Sequence, residues 1–244
     1  MQTLTAQWKV PSFVQAHTSY RAGGVSVAPY KSLNLGSHVG DLPASVQRNR
    51  ERIQHALEFP SSPNWLAQIH SDRVVRIGAD GLSDIPEADG AYTDQAGVVL
   101  AVLTADCLPV FLASADGQEL ALVHCGWRGL AQGILTNALA HFKAKPADIF
   151  AWLGPCIGPK AFEVGADVFE AMTSLNPKHA TSFIAAGGKY LANLSDIAKT
   201  ELEHLGVTEI SASNACTFTD AEHYYSYRRD GTTGRMGSFL WRSA

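Results

Sequence analysis

Cys107 and His124 are the residues whose types and spacing could do chemistry. Cys107 lies in "TADCLPV" (Thr104 to Val110), between an aspartate and an apolar run, and His124 opens "HCGWRGL" (His124 to Leu130). A thiolate and an imidazole on one face can share a zinc ion, with bonds of roughly 2.0–2.3 Å. They can equally form a nucleophile pair in which the imidazole takes the thiol proton. A cysteine beside apolar strands can also be a plain core thiol. Residue types alone leave all three readings open.

A turn decides whether the two residues meet. Asp116-Gly117 separates two apolar runs, "LPVFLAS" (Leu108 to Ser114) and "ELALVHC" (Glu119 to Cys125), and Asp-Gly between such runs is a strong hairpin signal. With that pair at the centre of the turn, His124 faces Pro109 and Cys107 faces Gly126. Cys107 and Pro109 project on the same strand face. Cys107 is then the diagonal neighbour of His124, with backbones roughly 7–8 Å apart. A slip of one residue would put them on opposite faces. Cys125 points away from His124 and reads as a core thiol. A catalytic zinc site takes three protein ligands and keeps one position open. His70, at the end of a strand expected in "NWLAQIHSDRVVRIG", is the best third ligand, although no spacing signature singles it out. Asp106 either caps a turn, orients a ligand histidine or acts as an acid or base.

The elements that must position these residues are legible in part. "DLPASVQRNRERIQHALEF" has Ala44, Val46, Ile53, Leu57 and Phe59 among charged residues, a helical pattern with a proline near its start. "GVVLAVL" (Gly97 to Leu103) is a buried strand that precedes the hairpin. "RGLAQGILTNALAHF" spaces Leu130, Ile134, Leu135, Leu139 and Phe142 as one helix. "IFAWLGPCIGP" is a strand running into a Gly/Pro loop. "GADVFEAMTSL" and "DIAKTELEHLG" are helices, and "VTEISAS" is a strand. "RAGGVSVAPYKSLNLGSHVGD" is turn and loop. The tail "YYSYRRDGTTGRMGSFLWR" gives a short aromatic segment, a glycine-rich loop and a last strand. Helices and strands alternate irregularly, which predicts an α+β (mixed α/β) protein with mixed sheets, folded as one domain over residues 1–244.

Composition excludes several classes. The chain has 244 residues, 46% hydrophobic and 17% charged, with a net charge of −4. That is ordinary for a globular protein and carries no basic bias toward nucleic acid. No apolar run approaches the roughly 20 residues that span a bilayer. With no signal-peptide pattern at the N-terminus, a cytoplasmic protein is expected. The four cysteines, Cys107, Cys125, Cys156 and Cys216, form no CxxC pair and no disulfide framework. No GxGxxG or P-loop pattern is present.

The chain resembles the YfiH family, laccase-like polyphenol oxidases also described as zinc-dependent purine nucleoside phosphorylases. The likeness runs almost end to end through "RAGGVS", "SLNLG", "WLAQIHS", "ADG", "TADCLPV", "HCGWRGL", "GPCIGPKAFEVG" and "SYRRDGTTGRMGSFLW". It implies a cysteine-hydrolase-like fold with mixed sheets packed between helices. It also implies a metal site of His70, Cys107 and His124. Cys125 is a departure, since alanine is more usual there. The implied activities are phosphorolysis of adenosine, inosine, guanosine and methylthioadenosine, and adenosine deamination. The partners are then a nucleoside and phosphate, with the protein a monomer or homodimer. Phosphate needs donors: Arg228, Arg229, Arg235 and Arg128 are candidates, with Arg50 and Asn34 closing the site. Trp127, Tyr225 or Phe162 could stack on a purine. The short zinc-deaminase pattern H-x-E…P-C-x-x-C is absent.

Three rivals stand beside this reading. Copper could occupy the same ligands and oxidise phenols, because copper(II) outcompetes zinc at many N/S sites. Nine histidines with no His-x-His pair disfavour true multicopper chemistry. A metal-free hydrolase would use Cys107 and His124 on an amide of a cell-wall precursor. A non-catalytic protein would bind nucleoside without turnover.

Overall fold

The structure, a computed structural model, describes residues 2–243. Strands β1 (Thr3–Thr5) and β2 (Val14–Ser19) open the chain. A glycine- and serine-rich loop leads to α1 (Pro43–Ala56), which starts on its proline and buries Val46, Asn49 and Ile53. Strands β3 (Val74–Arg76), β4 (Gly90–Thr93) and β5 (Leu100–Thr104) precede the hairpin of β6 (Leu108–Ser114) and β7 (Leu120–Cys125). Then come α2 (Trp127–Ala131), α3 (Ile134–Leu139), β8 (Ile149–Leu153), β9 (Glu163–Val164) and α4 (Ala166–Leu175). The last elements are β10 (Phe183–Ala186), β11 (Lys189–Ala192), α5 (Leu194–His204), β12 (Glu209–Ala212), α6 (Tyr227–Asp230) and β13 (Met236–Arg242).

Three sheets result, ordered β1-β2-β13-β5, β12-β8-β6-β7-β4-β3 and β10-β11-β9. The six-stranded sheet is mixed, because β12–β8 and β3–β4 are parallel while its other pairs are antiparallel. Successive residues of a strand face opposite ways, so one strand serves two layers. In the four-stranded sheet, Leu100 and Val102 of β5 pack with Phe111, Leu122 and Trp152 of the six-stranded sheet. Their neighbours Ala101 and Leu103 pack on the other side with Ile53 of α1, Phe239 and Trp241. The far face of the six-stranded sheet, through Val110, Val123 and Cys125, lies against Ile134, Leu135, Val168, Met172, Ile197 and Leu202 of the helices. The architecture is the expected mixed α/β one, with two sheets packed face to face between helical layers. Strands covered on both faces read as unbroken apolar runs, which is why the centre of the chain was legible. Among the described residues no helix is long and apolar enough to cross a membrane.

Two expectations are corrected. No strand runs from Asn64 to His70; that stretch makes only isolated bridges, Asn64 to Leu100 and Ala67 to Glu87. The helix expected from Arg128 to Phe142 is two helices, broken at Gly133, whose φ of +89° is left-handed. Apolar spacing continues through the break because both pieces pack on the same sheet, and periodicity alone cannot register a glycine that reverses its backbone.

Candidate active site

The β6–β7 hairpin has the register that its turn dictates: Pro109 faces His124 and Leu108 faces Cys125. Gly117 adopts φ +69° in that turn. Cys107 and His124 therefore project toward the four-stranded sheet, while Cys125 is fully buried against the helices. Burial raises the Cys125 thiol well above its ordinary range. Gly126, opposite Cys107, is a steric requirement of the site. A Cβ there would lie 2.8 Å from Cδ2 of His70 and 3.3 Å from Sγ of Cys107.

His70 arrives by a different device. The amides of Ile69, His70 and Ser71 all donate to the Asp89 carboxylate, at 3.2, 3.0 and 2.7 Å, and the Ser71 hydroxyl adds a fourth bond at 2.8 Å. Three consecutive N–H groups cannot converge on one anion from an extended strand. His70 accordingly takes φ +60°, which removes the expected strand. Asp89 also contacts Nδ1 of His124 at 2.8 Å. One buried carboxylate thus fixes the backbone of one histidine and the ring of the other. Burial alone would raise the pKa of Asp89, but the bonds from His124 and Ser71 bring it down to about 2.

The side-chain donor atoms of His70, Cys107 and His124 all lie within 4.8 Å of one another. Sγ of Cys107 is 3.9 Å from Nε2 of His70. Ligand atoms of a tetrahedral zinc ion stand about 3.3–3.8 Å apart, given bonds of roughly 2.0–2.3 Å. With Nδ1 of His124 committed to Asp89, Nε2 is the ring atom left for a metal. The nitrogen and sulfur donors and their spacing fit a single ion of the zinc or copper type. Burial pushes the Cys107 thiol up, but the His124 imidazolium and hydrogen bonds from His124 and His70 bring it down to about 6. Burial pushes His124 down, and the Cys107 thiolate with the Asp89 carboxylate raises it to about 9. Without metal, the two form an ion pair.

The cluster lies in the wall of a cleft of about 450 Å³, which is also lined by His38, Gln68, Thr104, Arg128, Tyr227 and Arg235. Of the six residues considered for substrate binding, only Arg128 and Arg235 line it. Arg228 turns outward to the carbonyls of Ala161 and Glu163. Arg229 is spent on the carbonyls of Thr217, Phe218 and Tyr224 and on Asp230. Arg50 donates twice to the Leu35 carbonyl and stacks on Trp65. Asn34 is fully buried and accepts from the amides of Gly36 and Arg235. The Asp106 carboxylate accepts from the Thr217 hydroxyl at 2.7 Å and the Arg228 amide at 2.7 Å. It orients no histidine; it holds loops.

Trp127, Tyr225 and Phe162 are likewise absent from the cleft lining. The Tyr225 hydroxyl instead donates to the Tyr30 carbonyl at 2.7 Å. The aromatic residue in the cleft is Tyr227, 61% exposed. Sequence reasoning missed it, along with His38 and Asp89. No local signal marks Asp89, since the same "ADG" also stands at 79–81 and 115–117.

The comparisons with known proteins bear on the family and the fold. The family model described as multi-copper polyphenol oxidoreductase laccase matches residues 15–243. A Shigella flexneri protein named purine nucleoside phosphorylase YfiH is 47% identical over 238 residues, covering 98% of each chain. A Haemophilus influenzae protein named purine nucleoside phosphorylase is 46% identical over 244 residues, covering 99% of each. A crystal structure of a Neisseria meningitidis protein matches with a TM-score of 0.96 at 44% identity, covering 100% of both chains. With the matched model, these relatives and the shared fold together, the chain belongs to the YfiH family, the family whose model is described as multi-copper polyphenol oxidoreductase laccase.

Proposed function

We propose that this chain is a zinc-dependent purine nucleoside phosphorylase, a transferase that moves a ribosyl group from a purine to phosphate. Its substrates are adenosine, inosine, guanosine and methylthioadenosine, and it also deaminates adenosine. The observation that carries this reading is the juxtaposition of His70, Cys107 and His124 with Arg128 and Arg235 in the lining of one cleft. The names of the relatives support it.

When bound at the three ligands, zinc supplies Lewis-acid polarisation of phosphate or water. Arg128 and Arg235 offer forked donors that match a phosphate dianion. Arg235 uses Nη1 on the carbonyls of Thr233 and Gly234, which holds its head in place. Tyr227 presents an exposed ring on which a purine can stack. His38 is kept neutral near pH 7, since burial first, then Arg235, Arg50 and His124, lower its pKa. A neutral imidazole offers one donor and one acceptor to the sugar or the base. In phosphorolysis a phosphate oxygen bonds to the anomeric carbon, the C–N bond breaks, and the departing purine nitrogen takes a proton.

Among the described residues, these three form the one cluster of three or more His, Cys, Asp or Glu that could hold a metal. One three-ligand group serves one ion, which argues against multicopper oxidation of phenols. A second reading has its own support: Asp89 bonds Nδ1 of His124, and the sulfur of Cys107 lies within 4.8 Å of the His124 ring, the order of parts in a hydrolase triad. Product analysis with protein of defined metal content separates the two. Free base and ribose 1-phosphate formed only with phosphate, and lost on chelation, are the expected result. No product with stoichiometric zinc would overturn the phosphorylase reading. Amide hydrolysis that survives chelation but not Cys107→Ser would establish the triad.

A further inference from the structure

Cys156 and Cys216 have no part in the chemistry described so far, yet the fold sets them side by side. They are direct partners in a parallel bridge, with the Cys156 amide on the Ala215 carbonyl and the Thr217 amide on the Cys156 carbonyl. Bridge partners lie about 4.8 Å apart, within the roughly 4.4–6.8 Å Cα separation of disulfides. Both cysteines line a second cleft, of about 390 Å³, together with Gly158, Ser195, Lys199 and Asn214.

The two thiols sit in different environments. Cys216 is half-buried, and its sulfur accepts the Gly158 amide at 3.1 Å. Burial pushes its thiol up, but bonds from Thr219, Gly158 and Phe218 outweigh that and lower it. Cys156 is buried, with its sulfur 3.4 Å from the Ser195 hydroxyl. Burial raises it to about 12, and the charge of Cys216 opposes its ionisation further. A half-buried, more acidic thiol beside a buried one is the arrangement of an attacking and a resolving cysteine.

We infer that Cys216 and Cys156 are a peroxide-oxidisable pair that closes to a disulfide. The Cys216 thiolate attacks one oxygen of a hydroperoxide: an S–O bond forms, the O–O bond breaks, and the other oxygen leaves with a proton as water or alcohol. The Cys156 sulfur then attacks the sulfenic sulfur of Cys216. The S–S bond forms, the S–O bond breaks, and the departing hydroxide takes the Cys156 proton to become water. Two electrons pass from the two sulfurs to the peroxide. The next residue along each strand, Ile157 and Thr217, is bonded to Asp106, the neighbour of Cys107. The pair thus borders the clamp that holds the loop of Cys107.

The test is peptide mapping of the metal-loaded, full-length protein after titration with hydrogen peroxide. Titratable thiols in the denatured protein should fall from four to two. Non-reduced digests should contain a 156–216 cross-link that a dithiol reductant removes. In Cys156→Ser, a dimedone adduct should accumulate on Cys216. Oxidation of Cys107 or Cys125 with Cys216 left reduced would overturn the inference. So would oxidation of Cys216 to sulfinic acid in the unmutated protein with no cross-link. The mapping needs no variant and no nucleoside turnover, so its outcome is separate from the fate of the phosphorylase reading.

Discussion

At Cys107 the decisive quantity is where one proton sits. Between about pH 6 and about pH 9 the metal-free pair is thiolate and imidazolium, because the thiol is depressed and the imidazole raised. Metal capture in that window needs no proton from Cys107 and must expel one from His124. The pair should thus release one proton near pH 7 and a second as pH falls below about 6. Calorimetric metal titrations in buffers of different ionisation enthalpy measure this directly. Asp89 holds the other side of His124, so Asp89→Asn should weaken metal binding about 10- to 100-fold. It should also raise the pH midpoint of thiolate absorbance in the metal-free protein. The arginines divide by contact rather than by motif. Removing a charge-assisted bond worth about 1.5–3 kcal/mol, Arg128→Ala should raise KM for phosphate about 10- to 100-fold. Arg229→Ala should leave KM unchanged and lower Tm, since its guanidinium holds only carbonyls and Asp230. Cysteine and histidine types made a ligand role one of three open readings, and the hairpin register brought Cys107 and His124 together. Asp89 was not legible, because its partner His124 is 35 residues away and a buried acid leaves no local pattern.

At the scale of elements, the hairpin carries the site. A tight turn propagates register residue by residue, so Asp116-Gly117 sufficed to place Cys107 beside His124 from sequence alone. His70 was out of reach of that reasoning. Its position comes from backbone amides gathered on Asp89, a contact between segments with no periodic signature. The break at Gly133 was hidden for a related reason, since apolar spacing reports which face is buried and not whether the backbone is continuous. Gly126 is where the two positioning devices meet. Its φ of −71° is ordinary for any residue, so substitution there tests sterics alone. Gly126→Ala should keep the fold and Tm close to those of the parent, because the atoms nearest the added methyl group belong to His70 and Cys107. Its methyl group would occupy the space of the His70 ring. Metal per chain, measured by atomic emission on freshly loaded protein, should fall well below one. Full metal occupancy in this variant would mean that His70 is not a ligand.

At the scale of the whole molecule, the cleft exists because distant loops are tied to one residue. Asp106 sits between β5 of one sheet and β6 of the other, with φ +99°. Its carbonyl accepts the Ile157 amide at 2.9 Å, and its carboxylate takes Thr217 and the start of α6. α6 brings Tyr227 to the cleft, and the loop after it brings Arg235. The loss of Asp106 should therefore act through the substrate wall and not through proton transfer. Alanine at that φ is strained by about 1–2 kcal/mol and leaves the Arg228 amide unpaired, at a cost of about 1–3 kcal/mol. For a chain of this size that lowers Tm by roughly 2–4 °C per kcal/mol. Asp106→Ala should then show a clear drop in Tm, a raised KM for nucleoside, and metal content near that of the parent. Asn tolerates the left-handed region, accepts from the Arg228 amide and donates to the Thr217 hydroxyl, so Asp106→Asn should restore most of Tm and kcat. An acid or base at this position would behave otherwise. Asn cannot exchange a proton at neutral pH, and kcat would then be as low in Asp106→Asn as in Asp106→Ala.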